Sequence, residues 1–206
     1  MTLGTGLYDR TYDHDACGLG FVARVDGRRT RETVEEGLEV LRNLEHRGTS
    51  GSDPETGDGA GILTQIPDAL FRREAGDLGI ELPPAGLYGV GTLFEYGAEE
   101  GRDCEGRLKQ IVAEEGQRFL GFRDVPIETE HAGRLARKVM PRIRQFFVER
   151  RNGDPEGFER KLYVIRRRLH DAVQNTHSGL SSAVRTLSIV SESSTGPLGP
   201  MKSGCW

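Results

Sequence analysis

The sequence predicts a layered domain of mixed α and β structure. Short apolar runs of strand character alternate with stretches of helical period between residues 18 and 173. Glycine, proline and aspartate punctuate most of the junctions. The 206 residues suffice for one substantial domain or an incomplete part of a larger one.

Residues 18–25 read as a buried strand, closed by the turn Asp26-Gly27-Arg28. Thr30 is an N-cap for a helix that carries Val34, Leu38, Leu41 and Leu44 on one face. Residues 45–61 are rich in glycine, aspartate, serine and threonine, and so long a loop points to a binding segment. A short strand follows at 62–66. Pro67 and Asp68 then open a helix through Leu70 and Phe71, since proline is tolerated in a first turn.

Pro83-Pro84 marks a loop before a buried strand at 88–94. Residues 103–119 have helical pattern, with Leu108, Ile111 and Val112 inward. Next come a strand at 120–127 cut by Pro126, a helix at 130–140, a strand at 143–148 and a helix at 155–173. Residues 174–206, dominated by serine, glycine, threonine and proline, read as a poorly structured tail.

Charge and composition narrow the function classes. A formal charge of −4 is too small to point to nucleic acid or a membrane surface. Residues 1–16 have no apolar stretch and do not read as a secretory signal. No run is long enough to span a membrane. The three cysteines, Cys17, Cys104 and Cys205, form no Cys-x-x-Cys pair, against a zinc site, an iron–sulfur cluster or a disulfide framework. That usage fits a reducing compartment, and a cytoplasmic location is expected.

Cys17 carries the most information. It stands in Asp15-Ala16-Cys17-Gly18-Leu19-Gly20, where a polar leader meets the first apolar run. A cysteine preceded by a small residue and followed by glycine can become a new chain terminus. Such a residue holds a nucleophilic thiol and a basic α-amine together.

Three segments occur in order: His14-Asp15-Ala16-Cys17-Gly18, Leu44-Glu45-His46-Arg47-Gly48, and Thr56-Gly57-Asp58-Gly59-Ala60-Gly61-Ile62. With Gly6-Leu7-Tyr8-Asp9 and Gln65-Ile66-Pro67-Asp68-Ala69, they resemble the N-terminal class II glutamine amidotransferase domain of glutamate synthase large subunits, over roughly residues 6 to 173. The resemblance implies an α+β fold, the four-layer αββα sandwich of N-terminal-nucleophile hydrolases. It implies a propeptide at residues 1–16, cut between Ala16 and Cys17, and an amidotransferase domain over 17–173. It also implies that Cys17 is the catalytic nucleophile and that Arg47 holds the α-carboxylate of L-glutamine. A guanidinium fork suits a carboxylate and stays charged. Gly48 would let the backbone come close, and Asp58 and Gly59 would line the pocket.

By the same resemblance, ammonia released from glutamine serves glutamate synthesis from 2-oxoglutarate in a separate synthase domain. FMN and an iron–sulfur cluster are expected in that other part, with no cofactor in this segment. The remaining synthase domains, or a small reductase subunit, are the expected partners.

The family's Asn-Gly oxyanion pair, in a His-Asn-Gly context, has no counterpart. Asn43, Asn152 and Asn175 are the only asparagines, and of these only Asn152 precedes glycine, in a charged turn. Losing one oxyanion donor costs about 2.7–4 kcal/mol of barrier. The segment Leu180-Ser181-Ser182-Ala183-Val184-Arg185-Thr186-Leu187 resembles a disturbed copy of a family strand, and the expected Lys-Gly-Met-Leu does not follow. The expectation is a truncated or frame-shifted product, incomplete at its C-terminal end and weakly active or inactive alone. The alternative is a non-catalytic remnant that serves as an interaction module. An amidophosphoribosyltransferase-like amidase is disfavoured by Thr-Gly-Asp-Gly-Ala-Gly.

The other motifs read as ordinary structure. Residues 57–61 lack the Lys-Ser/Thr of a phosphate loop. His14 and His46 have no partner at ligand spacing and suit turns or surface. Cys104 lies among charges and reads as an exposed thiol, Cys205 as part of the tail, and Arg166-Arg167-Arg168 as a solvated helix face.

Overall fold

A computed structural model describes residues 18–48, 53, 55–57, 59–95, 98–176 and 184–191, of which 98–103, 173–176 and 184–191 are described as backbone. The chain divides into two compact units. One comprises Met1–Thr64 with Glu128–Lys138, and the other comprises Gln65–Ile127 with Val139–Trp206.

The second unit is built on a four-stranded antiparallel sheet. Its strands are β1 (Tyr88–Glu95), β2 (Arg118–Asp124), β3 (Arg142–Glu149) and β4 (Val184–Ser191), in spatial order β2-β3-β1-β4. β1 pairs with β3 from Tyr88↔Glu149 to Glu95↔Arg142. Side chains on β3 alternate between faces, so Phe146 and Val148 enter one core cluster while Phe147 enters the other. Helices α3 (Ala98–Glu114) and α5 (Pro155–Thr176) supply Cys104, Leu108, Ile111, Val112, Phe158, Leu162, Ile165 and Leu169 to the first cluster. Helix α2 (Asp68–Asp77) supplies Phe71 and Ala75 to the second, beside Tyr88 and Val90. Mixed α and β structure around an antiparallel sheet is therefore observed.

A bulge explains how Phe119 and Phe122, of opposite parity, both pack on the first cluster. Phe119 opposes Val148 and Gly121 opposes Phe147, which leaves Leu120 as the extra residue and switches the face. The Phe146 ring lies over Gly91, its cross-strand partner, where a Cβ would collide with it. The buried Arg123 and Arg144 are paired, Arg123 with Glu74 and Gln145. Arg144, 7% exposed, donates to Glu95, with Nε at 3.0 Å, and its guanidinium lies 4.1 Å from the Phe122 ring centroid.

Several expectations are corrected here. Residues 174–206 are not without structure, because β4 pairs with β1 from Gly89↔Ser191 to Glu95↔Val184. Val184, Thr186, Ile189 and Val190 are β-branched, and an open edge of β1 meets their backbone hydrogen-bonding needs. The helix expected at 103–119 begins at Ala98 and ends at Glu114. It stops because Gly116 takes a left-handed φ of 73°, with Gln117 N donating to Val112 O and Gly116 N to Ala113 O. The strand expected at 120–127 is Arg118–Asp124, so Pro126 lies beyond it. Cys104 is 1% exposed, not a surface thiol, because it continues the inward stripe of Leu108, Ile111 and Val112. The arginines at 166–168 lie on a solvated helix face as expected, where Arg168 also bridges to Glu114 and Glu115 and Arg167 pairs with Asp171.

The first unit holds α1 (Arg31–Asn43), a 3-10 turn at Glu45–Arg47, and the short α4 (Arg134–Val139), in place of the longer helix expected at 130–140. α1 begins as expected: Thr30 is the N-cap and its hydroxyl accepts from Thr33 N at 3.3 Å. The strand expected at 18–25 is absent, and so is that at 62–66. Residues 18–24 form no ladder with any described strand, and alternate residues Leu19, Phe21 and Val25 are exposed.

Candidate active site

Helix α1 is the platform of the site. Thr33, Gly37, Val40 and Leu44 recur at helical spacing and are half-buried along one face. Residues 18–24 lie along that face in antiparallel sense. A Cβ on Gly18 would stand 3.0 Å from Leu44 Cδ2, and a Cβ on Gly20 would overlap Val40 Cγ1. Farther along, Arg24 Nε donates to Thr33 Oγ1 at 3.1 Å, and its Nη2 bridges to Glu32 and Glu36 at 3.2 and 3.1 Å. The match of lengths is physical: two extended residues advance about 6.6 Å, and four helical residues about 6 Å. Only glycine at position 20 lets the backbone come this close to Val40.

This geometry brings the start of the described chain to the end of the helix. Gly18, the residue after Cys17, lies beside Arg47, with a Cβ on it 3.5 Å from Arg47 Cβ. The 3-10 turn that carries Arg47 is held by Arg47 N donating to Leu44 O at 2.8 Å and Gly48 N donating to Glu45 O at 3.0 Å. His46 Nδ1 donates to Asn43 O at 2.9 Å, a turn role as expected. Arg47 is exposed, its side chain open to a ligand.

Beyond the 3-10 turn the chain returns to the same face of α1, where Ile62 Cδ1 stands 3.0 Å from a Cβ built on Gly37. Between these points, Asp53 Oδ2 accepts from Leu135 N at 3.0 Å and from Thr56 Oγ1 at 2.9 Å. Ala136 N donates to Thr56 Oγ1 at 3.4 Å. Leu135 and Ala136 lie in the first turn of α4, so Asp53 and Thr56 cap a helix 82 and 80 residues away along the chain. The Leu135 amide, followed by the Thr56 hydroxyl, holds the Asp53 carboxyl below its ordinary pKa of 3.8. Gly133 completes the cap, because a Cβ there would lie 2.6 Å from Glu55 C and would overlap Thr56 Oγ1.

Among the residues predicted from sequence, Arg47 and Gly48 stand together beside Gly18. Gly48 has φ −83°, backbone that any residue adopts, and a Cβ there would meet Glu45 O at 3.4 Å. Gly59 is exposed, and a Cβ on it would meet nothing within 4 Å. Cys17 and Asp58 lie outside the described residues. The sequence reading missed Asp53, Thr56 and Gly133. Asp-x-x-Thr carries a capping signal, but no helix follows it locally, so only the distant α4 reveals its use. Among the described residues no three His, Cys, Asp or Glu side chains stand together as a metal site. None of the described helices is long and apolar enough to cross a membrane.

Comparison with known proteins defines the class. The family model of the class-II glutamine amidotransferases matches residues 17–195, and the chain belongs to that family. It is a glutamine amidotransferase domain of glutamate synthase type. It is 44% identical over 170 residues to the glutamate synthase [NADPH] large chain of Bacillus subtilis, covering 81% of this chain and 11% of that one. The corresponding chain of Azospirillum brasilense is 36% identical over the same shares of each chain. The chloroplastic ferredoxin-dependent glutamate synthase 2 of Arabidopsis thaliana is 37% identical, over 81% of this chain and 10% of that protein. The chain thus spans about a tenth of the length of these relatives.

Proposed function

We propose that this chain hydrolyses L-glutamine through Cys17 and supplies the ammonia to glutamate synthesis from 2-oxoglutarate. The observation that carries the reading is a coincidence of position. The family match begins at residue 17, and the next residue lies against Arg47, the proposed carboxylate holder.

The chemistry requires removal of residues 1–16. Before the cut, the Cys17 nitrogen is an amide with no useful basicity. Afterwards an α-amine of pKa about 7.7–8.0 stands beside a thiol of pKa about 8.5. The amine takes the thiol proton, and the thiolate attacks the side-chain carbonyl carbon of glutamine. The tetrahedral species expels ammonia, which leaves with a proton returned by the amine. Water then cleaves the glutamyl thioester to glutamate and the free thiol. Arg47 anchors the substrate α-carboxylate by a two-pronged hydrogen bond, with Gly48, Asp58 and Gly59 around it.

The αββα sandwich of N-terminal-nucleophile hydrolases is the proposed complete fold, with residues 17–173 in the amidotransferase part. The proposed partners are the remaining synthase domains or a small reductase subunit, and FMN and an iron–sulfur cluster belong to that other part. A cytoplasmic location suits the reaction.

Mass spectrometry and a glutaminase assay test the reading together. A species that begins at Cys17 is expected, with ammonia release that Cys17→Ser lowers roughly a thousandfold or more. Equal release from both proteins would exclude thiol catalysis. An intact leader on an inert chain would favour the non-catalytic interaction module.

A further inference from the structure

The segment that carries Gly59 follows the 3-10 turn at Gly48 and meets α1 again where Ile62 packs against Gly37. Each anchor on a binding segment removes conformational freedom that a ligand would otherwise have to remove on binding. A third anchor lies midway. Asp53 accepts from Leu135 N, Thr56 Oγ1 and Glu55 N, and Thr56 Oγ1 in turn accepts from Ala136 N. In sequence, Asp53 stands five residues after Gly48, and Thr56 three before Gly59 and six before Ile62. Gly133 is the third member of the clamp, because no residue with a side chain fits against Glu55 and Thr56 there.

We infer that Asp53, Thr56 and Gly133 are positioning residues, a clamp on the first turn of α4 that presets the Gly59 segment for the substrate held at Arg47. The inference rests on the glutaminase reading for its effect on the substrate, while the clamp itself is legible in amide exchange. None of the three residues touches the reacting atoms. Their action is to remove conformational freedom from the Gly59 segment, which on the glutaminase reading lines the substrate pocket, and so to lower the cost of binding.

Hydrogen exchange of the full chain, followed by mass spectrometry, tests it. Asp53→Ala and Thr56→Val are expected to speed exchange at residues 57 and 59–61 about tenfold, with the β1 and β3 amides unchanged. Asp53→Asn, whose amide oxygen still accepts from Leu135 N, is expected to stay within about twofold of wild type. In glutaminase assays of the same proteins, KM for glutamine rises about tenfold in Asp53→Ala while kcat changes less than about threefold. Faster exchange at Leu135 and Ala136 alone, with residues 57 and 59–61 unmoved, would overturn the inference and leave an ordinary helix cap. A tenfold KM change without the exchange change would overturn it as well. If wild type releases no ammonia, the glutaminase reading fails, and the exchange data still decide whether the clamp orders the loop.

Discussion

The two units of this chain are held by different means. Every buried hydrophobic side chain described, from Ile66 to Leu169, lies in the unit built on the sheet. There Phe146, Phe147, Phe158 and Tyr88 are fully buried, and the interior supplies the cohesion. In the unit of α1, no residue of the helix is buried. That unit is held by glycine backbones laid close to a helix face, by the Arg24 bridges, and by the Asp53 clamp on α4. Stability resides mainly in the first kind of packing. The second kind leaves Arg47 and its neighbours accessible, as the proposed substrate site requires.

The contrast can be broken by substitutions that act on one unit only. The largest stability effect is expected from Phe146→Ala, which removes a fully buried ring from between Gly91 and the α3–α5 layer. The loss should be about 3–5 kcal/mol, read as a lowered urea midpoint for the sheet unit. A midpoint within experimental error of wild type would mean that the sheet is not the source of cohesion.

A smaller effect, confined to the other unit, is expected from Gly20→Ala. The new methyl overlaps Val40 Cγ1, so the extended segment lifts from α1, at a cost of about 1–3 kcal/mol. Glutaminase activity should fall while β1 and β3 amides keep their exchange rates. Adding Val40→Ala makes room and should restore part of the activity. If the double variant is no better than the single, close approach to Val40 is not the reason for glycine at this position.

The smallest effect is a pH dependence, and it touches both units. Asp53 in one unit has a pKa lowered by the Leu135 amide and the Thr56 hydroxyl. In the other, Glu115 is lowered by Lys161 and then Arg168, and Glu105 by Lys109 together with Arg144. A carboxyl whose folded pKa is depressed stabilises fully above its unfolded pKa, about 3.9 for Asp and 4.3 for Glu. That contribution fades as pH falls through the folded value. Urea midpoints should therefore be flat with respect to these groups between about pH 5 and 8 and decline below about 4. Asp53→Asn should blunt the loss of exchange protection at residues 57 and 59–61 below about pH 4 and leave that of the sheet unaltered. An equal change in both units would show that they do not respond independently.

Local chemistry made much of this chain legible. Thr30 capped α1, the small and large apolar alternation of Tyr88–Glu95 marked β1, and the apolar period of residues 155–173 marked α5. The segments around Cys17, Arg47 and Thr-Gly-Asp-Gly-Ala-Gly pointed to the amidotransferase class through their resemblance to that family, which the family match over residues 17–195 bears out. Where the reading failed, the deciding partner was remote. The alternation of residues 18–24 has strand period, yet its partner is the side of a helix, which accepts glycines and Arg24 as readily as a neighbouring strand would accept a ladder.

What the sequence alone determined, then, is the set of elements whose signals are complete within a dozen residues, together with the chemical class. Tertiary structure decided that Val184–Ser191 pairs with β1, that Cys104 is core, and that Asp53 caps α4 across more than eighty residues. The reason is physical. Helical period and caps are satisfied by neighbours along the chain, whereas a strand edge, a buried thiol or a helix terminus is satisfied by whichever group folding brings to it.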